Sequence, residues 1–245
     1  MKAILAIAQR EFRSYFDSPL AYVVICLSFF GLGLMFFMQG GGFWQLDRAT
    51  MEPLFRYVPA GLGILVVPVI TMRLMAEERR SGTLEMLITL PVKDSDVIIG
   101  KYLGALSLIL VIVLSSMAYP LAMFGGLPWN LGALDMGPVM SGYLGLFLYA
   151  SAAVAVGLLI SSLTDSQAVS FFVTFSVLGL FWFSGNLADR APGFLGDTLH
   201  YVSFQSRMTG FARGLIDSRD IIFFLSVTVL ALMSSFRALE RRKWA

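Results

Sequence analysis

The chain has 245 residues, 57% of them hydrophobic and 14% charged, with a mean hydropathy of +0.77. A globular domain holds roughly 45–50% apolar and about 25% charged residues, so no water-soluble fold of this length hides so much apolar side chain. A net charge of +2 with dispersed basic residues argues against a nucleic-acid partner, and the single cysteine, Cys26, excludes a disulfide scaffold, which leaves a membrane protein.

Six stretches of sixteen or more residues contain no Asp, Glu, Lys or Arg: 18–46, 57–72, 102–134, 136–164, 166–188 and 221–236. A helix needs about 20 mostly apolar residues to cross ~30 Å of hydrocarbon. The two shortest stretches reach that length with end residues such as Arg73 and Arg237, whose stems snorkel to the interface. Before the first stretch, Ile4, Ala8, Phe12, Tyr15 and Phe16 recur at helical spacing, with Lys2, Gln9, Arg10 and Arg13 on the other face. Residues 1–18 thus read as a basic amphipathic helix in the headgroup plane, either a plain anchor or a mechanical part. Spans are expected near 20–38, 57–76, 100–124, 139–163, 168–187 and 219–237, all within one membrane domain covering 1–245. Continuous apolarity, rather than alternation, argues against a β-barrel. The first apolar run begins near residue 19 and is too long for the core of a removable signal peptide.

Six spans put both termini on one side. That side would carry twelve Lys and Arg, against six on the other (Arg48, Arg56, Arg190, Arg207, Arg213 and Arg219), so the termini are expected in the cytoplasm. Pro68 and Pro120 are placed to kink the second and third spans. The fourth carries small residues four apart (Ser151 and Ala155; Ala153, Gly157 and Ser161), a pattern suited to close helix contact.

Two connecting segments are more than loops. Between the second and third spans, Leu84, Leu87 and Ile88 make an apolar stripe, with Glu77, Glu78, Arg79, Arg80 and Glu85 around it. Gly82 permits a bend before this short helix and Pro91 stops it, while Asp94 or Ser95 is placed to cap the next helix. The ridge either enters a groove on another protein or packs beneath the bundle itself. Between the fifth and sixth spans, residues 188–218 are too apolar for a free loop and too interrupted for a span. One or two short helices dipping into the outer leaflet are expected there.

Catalytic chemistry finds little support. There is one histidine, His200, and no phosphate-binding glycine loop, since Gly100-Lys101 lacks the glycine-rich approach. Asp165, after Ser161-Ser162, reads as a turn residue, and mid-span Cys26 as a packing residue. One Cys and one His make a transition-metal site improbable. The spans also lack the central ionisable residues that proton- or sodium-coupled carriers use.

The run EERRSGTLEMLITLPVKDSDVIIGKYLG, residues 77–104, resembles the signature of ABC-2-type permeases, the membrane subunits of ATP-driven exporters. The likeness rests on Glu77, Glu78, Arg79, Gly82, Thr83, Glu85, Leu87, Pro91, Gly100 and Lys101, and the six-span layout with an amphipathic leader agrees with it. The resemblance implies a non-catalytic membrane subunit of an exporter. Its coupling helix would be formed by Glu77, Glu78, Arg79, Arg80, Gly82, Thr83, Leu84, Glu85, Leu87, Ile88 and Pro91, and would dock into a separate ABC ATPase. It further implies two ATPase copies holding ATP and magnesium, no cofactor or metal in this chain, a second permease copy or homologous permease, and a multi-pass place in the bacterial inner membrane. Helices two and five line the cavity in such exporters, so Phe172, Phe175 and Leu178 become cavity candidates. Residues 200–224, HYVSFQSRMTGFARGLIDSRDIIFF, resemble the gliding-motility-associated permeases through Arg213-Gly214, Asp217, Arg219 and Asp220, with nitrous-oxide-reductase maturation permeases a near alternative. An extracytoplasmic accessory protein would follow from that placement. The rival reading is an ion-coupled secondary transporter or channel without an ATPase.

Overall fold

The computed structural model describes residues 2–38, 51–82, 93–119, 135–191 and 193–241, and among these the chain folds as helices joined by turns, with no strand. The amphipathic helix α1 (Lys2–Phe16) leads into the apolar α2 (Pro19–Met38). The second apolar stretch is a broken helix. It comprises α3 (Glu52–Gly61), a π-helical turn (Leu62–Val66), α4 (Val67–Thr71), a non-helical turn and the stub α5 (Ala76–Arg80). There follow α6 (Asp94–Ser115), α7 (Met136–Leu163), α8 (Gln167–Ala188), the short α9 (Phe194–Val202) and α10 (Phe204–Ala212), and α11 (Ser218–Arg241). Five segments among the described residues are long and apolar enough to cross a membrane: Glu52–Arg80 taken whole, α6, α7, α8 and Ser218–Glu240 of α11. Pro120 lies outside the described residues, as do Arg242 and Lys243.

α7 is the axis of the bundle. Its side chains are largely apolar or small, and it is buried on nearly every face, with α11 lying along it. Asp135 caps it by accepting from the Gly137 N–H at 3.0 Å, and Thr164 ends it in extended conformation. Glycines let the broken second helix press against it. A Cβ at Gly142 would strike the Phe55 ring, one at Gly157 the Thr71 side chain, and one at Gly63 the Tyr149 hydroxyl. Mid-height, Tyr149, Trp182, Phe204 and Phe224 meet edge-on or tilted, and Phe181 stacks on Phe204 at 5.1 Å. α8 and α11 leave most of their surface facing outward.

The breaks in the second helix have identifiable causes. Pro68 has no N–H for the ladder, and one residue before it the Val67 N–H reaches back five residues to the Leu62 carbonyl, the π pattern. Farther on, the backbone leaves helical form at Met72–Met75 before α5 resumes. α6 begins at Asp94 with Lys93 as its N-cap residue and no side-chain cap bond, so neither Asp94 nor Ser95 is the cap. Asp94 and Asp96 instead lie in the first turn, where carboxylates favour the helix dipole.

At the opposite end of the molecule from α5, Gly214 has φ +91 and ends α10, with the Leu215 N–H reaching the Gly210 carbonyl at 3.0 Å. Asp217 then caps α11 by accepting from the Arg219 N–H at 2.9 Å. The Arg207 guanidinium lies between the Tyr201 and Phe223 rings, donates twice to the Tyr201 carbonyl and pairs with Asp220 at 2.6 Å. Gly214, Asp217 and Asp220, expected in an outer motif, therefore have structural duties in a turn, a cap and an ion pair. Arg213 stands 3.9 Å from Glu52, and Arg219 is exposed.

Candidate functional site: the charged base of the bundle

Of the segment expected to couple to an ATPase, α5 and the two residues after it are described. Glu77, Glu78, Arg79, Arg80 and Gly82 are placed; Thr83, Leu84, Glu85, Leu87, Ile88 and Pro91 lie outside the described residues. Gly82 has φ +70, a conformation side chains resist, so the chain turns sharply as it leaves α5.

Every charged side chain of the stub except Arg80, which is exposed, is tied to another element or to its own turn. Glu77 accepts from Arg73 one turn earlier at 2.8 Å. Arg79, its side chain 5% exposed, pairs with Asp165 of the α7–α8 turn at 3.3 Å. Glu78 meets Lys101 of α6 at 2.7 Å, and Arg10 of α1 stands 3.7 Å away. Asp165, a turn residue by sequence, is thus also an anchor for the stub.

Lys101 is the centre of this network. It is 1% exposed, and its ammonium donates to Glu11 of α1 at 3.0 Å, to the Leu74 carbonyl at 2.8 Å and to Glu78 at 2.7 Å. Three donors on the ammonium find three acceptors, the condition under which a buried cation is tolerated. Across the cluster, Arg10, Arg73, Arg79 and Lys101 are balanced by Glu11, Glu77, Glu78 and Asp165. A cavity of about 400 Å³ borders it between Arg10, Ser14, Tyr15 and Arg73. Its balanced charge favours no particular small ion. Tyr15 closes the inner side by donating to the Ile70 carbonyl at 3.3 Å, and burial pushes its phenol well above the ordinary range.

The network explains the amphipathic helix. α1 packs along the first turns of α6 because Gly100 and Gly104 admit it: a Cβ at Gly100 would strike Ile7, and one at Gly104 would strike the Glu11 side chain. Sequence reading missed Glu11 and gave Lys101 only a place in the motif. The available signal was that Glu11 interrupts the apolar stripe of Ile4, Ala8 and Tyr15 on its own face. Replacing Gly104 with leucine is expected to lift α1 away, so that trypsin cuts at Arg10 or Arg13 several times faster while the spans stay inserted. Unchanged cleavage would count against the docking.

The other candidates are scattered. Phe172 and Phe175 lie on the outward face of α8, 65% and 37% exposed, whereas Leu178 is fully buried. Cys26 is exposed, and His200 borders a cavity of about 540 Å³ beside Arg207 and Arg219 at the far end. Among the described residues no three His, Cys, Asp or Glu side chains gather closely enough to hold a metal ion.

The fold defines a multi-pass helical membrane protein whose charged base is built from a leader helix, a broken span and the turn between two others. Sequence comparison gives the class a family: the model of the ABC-2 family transporter proteins matches residues 5–244, so the chain belongs to that family. Members are generally non-catalytic membrane subunits, and membership implies an ABC ATPase as partner. No curated protein matches the chain.

Proposed function

We propose that the chain is the permease half of an ATP-driven exporter, with six spans, both termini in the cytoplasm and the charged base facing the cytoplasmic ATPase. The observation that carries this reading is the anchoring of α5. The stub from which residues 83–91 issue is joined by ion pairs to α1, α6 and the α7–α8 turn and by hydrogen bonds to α7, as a lever receiving force from outside the membrane requires. Leu84, Leu87 and Ile88 form the ridge that enters the ATPase groove, with Thr83, Glu85 and Pro91 shaping the helix that bears it. ATP and magnesium are bound by two ATPase subunits, and two permease copies, or this chain and a homologue, enclose the path. Phe172 and Phe175 line that path, with Leu178 supporting them from within the core. The setting is the bacterial inner membrane, and the outer segment supports a gliding-type subfamily working with an extracytoplasmic partner, by moving substrate or transmitting force.

Leu87→Asp is expected to abolish co-purification of the ATPase, because a carboxylate cannot enter an apolar groove without about 3 kcal/mol or more of desolvation, while the permease still inserts. A full complex from this variant overturns the docking. Gradient-driven flux by the chain alone in liposomes, with no ATPase bound, would favour the ion-coupled carrier.

A further inference from the structure

The second span is not a continuous rod. After the π turn, its ladder breaks again before the stub: the Met75 and Ala76 N–H groups do not bond within their own helix but both donate to the Ser161 hydroxyl of α7, at 3.1 and 3.2 Å. The same hydroxyl lies 3.4 Å from the Met72 carbonyl. In the same break, the Leu74 carbonyl accepts from Lys101 of α6. Two buried donors and a buried acceptor that the helix leaves over are therefore met by α7 and α6, and Ser161 is itself fully buried. Arg79–Asp165 adds a second link from the stub to the end of α7. By contrast α7 runs unbroken for 28 residues, about 42 Å at 1.5 Å per residue.

We infer that Ser161 and Lys101 are positioning residues that join the stub to the fourth and third spans, so that the stub moves as one body with α7. Movement imposed on the coupling segment then crosses the membrane along α7, and the second span follows, held by its glycine contacts. A stiff second helix would need an intact ladder from α4 into α5, and the bonds that would form it are given to Ser161 instead. This inference rests on the ATPase-docking reading only for what drives the motion.

Two measurements test it. In the permease alone, Ser161→Ala should speed amide hydrogen exchange at Met75 and Ala76 about tenfold, as loss of a buried hydrogen bond requires, with α3 unchanged. Unaltered exchange overturns the role of Ser161 whether or not an ATPase binds. In the permease–ATPase complex, spin labels at Arg80→Cys and Met140→Cys, in a Cys26→Ser background, read the distance from the stub to the far end of α7. That distance should stay the same with and without ATP and vanadate, and should become nucleotide-dependent when Ser161→Ala is added. A nucleotide-dependent shift in the chain that keeps Ser161 overturns the shared motion. Failure of the ATPase to bind overturns the functional reading instead, and leaves the exchange result to judge the clamp.

Discussion

Lys101→Met is expected to lower the stability of the folded bundle by about 3–5 kcal/mol, the usual cost of stripping the partner from buried charges. Glu11 and Glu78 would be left facing each other with only Arg10 between them, and the Leu74 carbonyl would lose its donor. Thermal unfolding in detergent, followed by tryptophan fluorescence, reads the effect. Adding Glu11→Gln and Glu78→Gln to Lys101→Met should recover much of the loss, because neutral amides bury at lower cost than unpaired carboxylates. A triple variant no more stable than Lys101→Met would mean that Lys101 acts through packing of its stem, not through charge.

The contact between Gly63 and Tyr149 yields the second large effect, with opposite signs for its two members. Gly63→Ala should destabilise by about 3 kcal/mol, since its Cβ would overlap the Tyr149 hydroxyl where the π turn presses on α7. Tyr149→Phe should stabilise by about 1 kcal/mol. Its hydroxyl is fully buried with no hydrogen-bond partner among the described residues, and removing an unsatisfied polar atom recovers its desolvation cost. In the double variant the penalty of Gly63→Ala should shrink, a coupling that a cycle measures directly. Marked loss of stability in Tyr149→Phe would show that the hydroxyl serves a partner after all.

The placement of Arg79 and Asp165 shows where sequence reading stops. Each residue type fits its local setting, a helix end and a turn after Ser161-Ser162, so nothing in the chain signals that they meet across 86 positions. Glu11 and Lys101 are separated by 90 residues and are joined only because Gly100 and Gly104 let α1 lie on α6. The segment from Gly214 to Asp220 is different. A glycine at a left-handed C-terminus and an aspartate two residues before Arg219 are local devices, and their geometry follows from adjacent residues. Pro68 signalled a disturbance in the second span, but not that it would take the form of a π turn followed by a break filled from α7.

The sequence by itself determined the solvent and the elements: long uncharged runs admit only membrane helices, because backbone polar groups in hydrocarbon must be satisfied within the segment. It also determined the family, through the ordered residues from Glu77 to Lys101 and the match over residues 5–244. The tertiary structure decided how the few charges are used. The Lys101 ion pairs and the Ser161 hydrogen bonds that close across α1, α5, α6 and α7 depend on which helix faces approach within 3.2 Å, and that is set by glycine notches and packing, not by spacing along the chain.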